Sequence, residues 1–228
     1  MPTTYPRIVP LGDRALTVKL AARATEPVHQ RMLVLLADLG RDPVPGQVEV
    51  VPGLASVTVL FARALSDSDA RAASRELLRR ARQPGRRGKR SANARAEILE
   101  IPVQYGGEAG PDFEEVCRLH RLTARQLIAL HSRPLYQVRL IGFTPGFPYL
   151  GGLPARLATP RLATPRARVE MGSVGIGGNQ TGVYTVTGPG GWRIIGRTNL
   201  ALFDPERDPC ALLRPGMSVR FVPTGGRS

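Results

Sequence analysis

The sequence predicts an α+β protein in two parts, an α/β half followed by a compact β-barrel half. Three observations predict it. Helical and strand-like apolar periodicities alternate through residues 1–103. From Tyr136 onward, short apolar runs are separated by Gly and Pro, the pattern of closely spaced strands and turns. The length of 228 residues, with 42% hydrophobic and 22% charged residues, lets each part bury a core of its own.

The elements follow in order. Ala15–Leu20 alternates as a strand after a Gly12-Asp13 turn. Thr25 can cap a helix with Pro27 in its first turn. Val28, Met32, Leu35, Leu36 and Leu39 then share one face, and Gly40 closes it. Val48–Val51 and Ser56–Phe61 read as strands around a Pro52-Gly53 turn. Ser66 with Asp69 opens a second helix that runs to about Ala81. Glu97–Val103 alternates as a further strand. The order β-α-β-β-α-β is the ferredoxin-like split βαβ arrangement. This sets a first domain at 1–103 and a second at 104–228. In the second, Asp112–Leu119 reads as a short helix, and a Thr123/Gln126 capping box starts another over Ala124–His131. Strands are expected at Tyr136–Ile141, Ser173–Ile176, Gly182–Thr187, Trp192–Gly196, Leu200–Phe203 and Val219–Val222.

Charge and composition limit the function classes. The net charge is +14, and over half of the excess falls in 79–96, a basic loop of Gly, Pro, Ser and Asn with eight cations. Such a run reads as a solvated linker. It has no interleaved aromatics and no recognition-helix pattern, so nucleic acid is not expected as a partner. Arginine carries nearly all the positive charge, since Lys19 and Lys89 are the only lysines. Guanidinium forks suit carboxylate-bearing substrates. Neither lysine has the setting of a biotin carrier. Cys117 and Cys210 are too few for a disulfide framework. Residues Met1–Val18 do not read as a secretory signal, and the longest leucine-rich run, Met32–Ala37, is too short to span a bilayer. Together these point to a cytoplasmic protein.

Three segments carry chemical signal. The first, Ile141-Gly-Phe-Thr-Pro-Gly-Phe-Pro-Tyr-Leu-Gly-Gly-Leu153, alternates Phe143, Phe147 and Tyr149 through a Pro/Gly-stiffened loop. It reads either as a rigid barrel corner or as a preorganised pocket wall. The second, Gly172–Gly182, is dense in glycine and suggests backbone amides aimed at an anion around Gly175, Gly177 and Gly178. It lacks the ending of a phosphate-binding loop, and Ser173 misses the register of a nucleophile elbow. Gln180, Thr181 and Tyr184 are the better candidates for hydrogen bonding in a site. The third, Pro189–Thr198, holds the single tryptophan, Trp192, and Arg197, a candidate anion fork or a structural ion-pair partner. Arg161 and Arg166 follow repeated Thr-Pro pairs and read as outward on extended loops. Of His29, His120 and His131, none has metal-ligand spacing, so no metal is expected. His131 is the one placed for acid–base work or substrate contact.

These three segments, with Tyr105-Gly-Gly-Glu and Leu130-His-Ser ahead of them, resemble the family of the 5-oxoprolinase B subunit (PxpB), which also includes KipI-type kinase inhibitors and allophanate hydrolase subunit 1. The likeness runs from Gly12-Asp13 to Phe221-Val-Pro223. It implies a ferredoxin-like domain followed by a cyclophilin-like barrel. It implies a non-ATP-binding member of a heteromeric complex, forming a composite active site with a partner like the 5-oxoprolinase C subunit. A second partner, like the A subunit, would complete an ATP-dependent opening of 5-oxoproline to glutamate. ATP is thus expected to be used by the complex, and this chain is expected to be inactive alone. On that likeness, His131 and Gln180 are the expected catalytic residues. Phe143, Phe147, Tyr149, Arg166, Gly175, Gly177, Gly178, Thr181, Tyr184 and Arg197 are the expected substrate-binding residues. The alternatives it carries are inhibition of a sensor histidine kinase and a carboxyltransferase or allophanate-hydrolase role in urea metabolism. The sequence departs from the family pattern at Glu170, Met171, Asn199 and Met217.

Overall fold

Alternating apolar residues build a four-stranded sheet in the first half of the chain. In the computed structural model, which describes residues 4–82 and 98–225, its strands are β1 (Arg7–Pro10), β2 (Ala15–Lys19), β3 (Gln47–Pro52) and β4 (Ser56–Phe61). They are antiparallel in the order β1-β2-β4-β3. Leu16, Val18, Val57, Val59 and Phe61 bury one face against helices α1 (Glu26–Arg41) and α2 (Asp67–Arg82). From α1 come Val28, Met32, Leu35 and Leu39, the stripe expected of a one-faced helix, and from α2 come Leu77 and Ala81.

Local chemistry fixes the helix ends and ties the two helices together. The Ser66 hydroxyl accepts from the Asp69 backbone N–H at 3.2 Å. Arg80, with only 9% of its side chain exposed, reaches Glu76 on its own helix, Asp38 on α1 and Asp42 just past the end of α1. The two guanidinium groups of Arg79 and Arg80 hold the Glu76 carboxyl down to about 2. Arg79, Arg80 and Arg82, predicted to begin the basic loop, are the last turn of α2, where cations suit the helix dipole. The rest of that loop lies outside the described residues.

The predicted β-α-β-β-α-β order is replaced by β-β-α-β-β-α. The edge beside β2 is taken by β1, a four-residue strand ending in proline that the apolar pattern did not mark. The strand expected to finish this sheet is β5 (Ile98–Tyr105), and it belongs to the second half, where it buries Ile101 and Val103 completely. The chain accordingly divides into compact units at Met1–Ala94 and Arg95–Ser228.

The second unit is a closed seven-stranded barrel. Its strands are β5, β6 (Tyr136–Ile141), β7 (Pro148–Gly151), β9 (Ser173–Gly177), β10 (Gln180–Val183), β12 (Arg193–Arg197) and β13 (Ser218–Pro223). They close in the order β10-β7-β6-β13-β5-β12-β9. Strands β8 (Arg166–Val169) and β11 (Gly188–Gly190) form a separate two-stranded sheet. Helix α3 (Phe113–His120) packs near β12 and α4 (Ala124–Ser132) against β13. Thr123 and Gln126 cap α4 reciprocally, as their spacing predicts. The predicted strand at Leu200–Phe203 is a loop with one bridge, Phe203 to Ala211. The predicted Gly182–Thr187 strand begins earlier, at Gln180. Among the described residues, no helix is long and apolar enough to cross a membrane.

Candidate functional site

Period-two alternation gives β9, β10 and β12 two chemically different faces. Inward go Val174, Ile176, Thr181, Val183 and Ile195, all essentially fully buried. His131 of α4 lies among them with no exposed surface, its ring stacked on Phe221 with centroids 4.5 Å apart. Its Nδ1 meets the Tyr105 hydroxyl at 2.7 Å and its Nε2 meets Thr181 Oγ1 at 2.9 Å. The Thr181 hydroxyl donates its one proton to the Gly175 carbonyl at 2.9 Å. It must therefore accept from His131, which fixes the neutral tautomer with hydrogen on Nε2 and makes Tyr105 the donor to Nδ1. The Tyr136 hydroxyl donates to the His131 carbonyl at 2.7 Å. Burial lowers the His131 pKa to about 3 and raises that of Tyr105 well above its usual value. His131 and Thr181, expected to meet substrate, have every polar atom committed inside the barrel. As placed, they can only position what surrounds them.

The outward face is bare. Gly175, Gly177 and Gly182 leave room there for Trp192, which lies so close that a Cβ at any of the three would meet it. Gly190 does the same for the hydroxyl end of Tyr184. Phe147, Tyr184, Trp192, Val169 and Ile194 form a second buried cluster on this outer side, separate from the barrel interior. Phe147 is its centre, with edge-to-face contacts to Phe143, Tyr149, Tyr184 and Trp192 at centroid distances of 5.0–5.6 Å. The glycine density thus serves close packing of aromatic rings. The expected anion cradle of free amides is absent: β9 is paired on both sides, and the Gly178 amide donates to the Thr159 carbonyl at 2.8 Å.

Above this cluster the surface is stiff and aromatic. Phe143 holds a positive φ of 74°, a costly conformation for a bulky side chain, and is 60% exposed. Thr185 fixes its loop by donating to the Pro145 carbonyl at 2.6 Å. Tyr149 is half-buried, 5.8 Å from Trp192 between ring centroids. Segment 159–162 crosses beside them, pinned by mutual hydrogen bonds between Thr159 and Gly178 and by Leu162 N–H donating to Gly191 O at 2.8 Å. It carries Arg161, whose guanidinium carbon lies 5.8 Å from the centre of the Trp192 ring. Gln180, half-buried and without a side-chain hydrogen bond among the described residues, sits across the hairpin from Gly177.

The two arginines expected to bind substrate lie elsewhere. Arg166 makes a bidentate pair with Asp112 at 2.6 and 2.9 Å, and Asp112 also accepts from the Ile194 N–H. Its charge is spent on the scaffold. Arg197 is exposed and pairs in register with Ser173, at the opposite end of β9 from Gly177. At 3.3 Å per residue that is about 13 Å away. Among the described residues, no three His, Cys, Asp or Glu side chains gather as metal ligands.

Comparison with known proteins fits this arrangement. The family model of the carboxyltransferase domain, subdomain C and D, matches residues 6–213. The chain is 44% identical over 213 residues to the 5-oxoprolinase B subunit of Escherichia coli O157:H7, covering 93% of this chain and 94% of that protein. It is 39% identical to the 5-oxoprolinase B subunit of Bacillus subtilis (strain 168), covering 95% and 92%. The chain belongs to this family. The solved structure of TTHA0988 superposes with a TM-score of 0.77 at 33% identity, over 94% of this chain but only 40% of that longer one. Kluyveromyces lactis urea amidolyase shares the fold, with a TM-score of 0.72 at 18% identity over 95% of this chain and 15% of that one.

The segments that carry the family likeness meet on the outer aromatic face. Residues 141–153 bring Phe143, Phe147 and Tyr149, residues 172–182 bring the glycines, and residues 189–198 bring Trp192. Sequence reasoning missed Arg161. Its signal was the paired Thr-Pro-Arg pattern, but only the Thr159 bridge and the indole beneath it distinguish Arg161 from Arg166.

Proposed function

We propose that this chain is the non-ATP-binding B subunit of an ATP-dependent 5-oxoprolinase. Near-full-length identity of 39–44% to proteins named as that subunit of 5-oxoprolinase carries the reading. The chemistry supports a shared site. A lactam is a poor electrophile, and transfer of the ATP γ-phosphoryl group to its amide oxygen activates it. Water then adds at that carbon, the ring C–N bond breaks and phosphate leaves, giving glutamate. The motifs of this chain include no nucleotide loop, so an A-like partner supplies the phosphoryl chemistry and a C-like partner completes the pocket. The exposed Phe143 and half-buried Tyr149, both packed on Phe147, offer an apolar ledge for a five-membered lactam. Gln180 is the side chain available to hydrogen-bond the amide. His131 acts from behind, holding Thr181 and β10 in place.

On this reading the barrel is cyclophilin-like and the first unit a rearranged ferredoxin-like sheet whose edge comes from β1. The protein works in the cytoplasm, which suits its two free cysteines. A carboxyltransferase role in urea metabolism is the lesser reading, resting on fold alone at 18% identity.

Co-expression with the A-like and C-like partner proteins tests the proposal. The three should co-purify and release glutamate from 5-oxoproline only when ATP is present, while this chain alone releases none. A stable three-protein complex without ATP-dependent glutamate release would sink it.

A further inference from the structure

We propose that Arg161 is the fork that takes the carboxylate of the substrate, with Phe143 and Tyr149 as the ledge beneath the ring and Gln180 at its amide. The proposal rests on the 5-oxoprolinase reading and assigns the ligand's charged group within it.

Four observations converge on Arg161. Its backbone is preorganised, because residue 159 is bridged to Gly178 and residue 162 is bonded to Gly191. Its guanidinium carbon lies over the Trp192 ring, 5.8 Å from the centroid, a cation–π contact that restrains the side chain. It has no carboxylate partner among the described residues, whereas Arg166, Arg168 and Arg193 are paired with Asp112, Glu170 and Glu115. An unpaired arginine that is nevertheless fixed is ready to bind an anion at small ordering cost. Finally, donors for a neutral ring amide lie alongside. The Trp192 Nε1 faces the bare Gly177, and Gln180 pairs in register with Gly177. A small ligand with one carboxylate and one lactam group would use that combination of charge, apolar ledge and amide donors. Arg197, on β12 opposite the far end of β9, has no such surroundings.

The single tryptophan makes the test direct, because a ligand held by Arg161 lies near Trp192, the ring that the guanidinium covers. Emission of the purified chain is titrated with 5-oxoproline and with 2-pyrrolidinone, which has the lactam but no carboxylate. The wild-type chain should show a saturable change with 5-oxoproline at concentrations at least tenfold below those needed for 2-pyrrolidinone. Arg161→Gln should weaken 5-oxoproline at least tenfold and leave 2-pyrrolidinone unchanged. Arg161→Lys should recover part of the loss, and Arg197→Gln should titrate as wild type. Circular dichroism checks that each variant is folded, which an exposed side chain makes straightforward. In the assembled complex, Arg161→Gln should raise the KM for 5-oxoproline at least tenfold with little change in kcat. Equal titration of wild type and Arg161→Gln, or no saturable response of the wild-type chain, overturns the proposal. A complex that fails to release glutamate while the titrations behave as expected overturns the enzymatic reading and leaves Arg161 as a carboxylate site.

Discussion

The two faces of β9 and β10 are made from the same short hairpin of backbone and solve opposite packing problems. Inward, Val174, Ile176, Thr181 and Val183 fill the barrel themselves, and the one polar group among them is matched to His131. Outward, Gly175, Gly177 and Gly182 fill nothing, and one indole from the start of β12 covers all three. The inner face is secured by many small contributions and a closed hydrogen-bond chain. The outer face is filled by large rings brought from elsewhere, with Trp192 the one that reaches all three glycines. A barrel can thus keep a self-sufficient interior while its exterior is organised around one large ring and whatever that ring supports.

The sharpest way to break this contrast is Trp192→Ala. It empties the outer face in one step and should lower unfolding free energy by about 3–5 kcal/mol, read from urea denaturation. A loss below about 1 kcal/mol would mean the outer cluster collapses to heal the gap. Next in size is Thr181→Val, which keeps shape but strips the acceptor from His131 Nε2–H and the donor from the Gly175 carbonyl. It should cost about 1–3 kcal/mol, and a neutral outcome would mean water has replaced the hydroxyl. The third test uses pH. The ordinary histidine value is 6.5, and His131 in the folded protein is lowered to about 3. Between these values the unfolded chain binds a proton that the folded chain does not, so stability falls as pH drops from 6.5 toward 3. From about pH 7 to about pH 5 the loss from this group is about 2 kcal/mol. His131→Gln, compared with wild type in urea midpoints at both pH values, should remove that part of the pH dependence.

The helices were legible almost to the residue, because each has an apolar stripe and three of them a capping residue or Pro at the predicted place. Strands β6, β9, β12 and β13 were legible for the same kind of reason, a run of β-branched or aromatic residues bounded by Gly or Pro. Strands β1, β7 and β8 were not. Each is four residues long, β1 ends in Pro10, β7 runs from Pro148 to Gly151, and β8 reads Arg-Ala-Arg-Val. In all three, pairing is supplied by the neighbours and not by local propensity. The glycines announced a close approach but not what approaches, since Trp192 lies well beyond Gly182 in sequence and is adjacent only in the sheet. His131 read as a candidate acid–base group because nothing local shows that Tyr105 and Thr181 converge on it. Arg166 and Arg161 are indistinguishable in sequence, and only their tertiary surroundings separate them, Asp112 beside Arg166 and the Trp192 indole beneath Arg161.

The seam between β5 and β13 has a consequence for how the molecule comes into being. These strands lie parallel over six residue pairs, from Ser218 opposite Ile98 to Pro223 opposite Val103, and more than a hundred residues separate them along the chain. As the polypeptide leaves the ribosome, β5 emerges with both edges unsatisfied: β12, its neighbour on one side, comes late, and β13, which covers the other, comes later still. The cell must shelter an exposed strand throughout that interval, which makes the newborn chain most vulnerable to mispairing just before its final strand arrives.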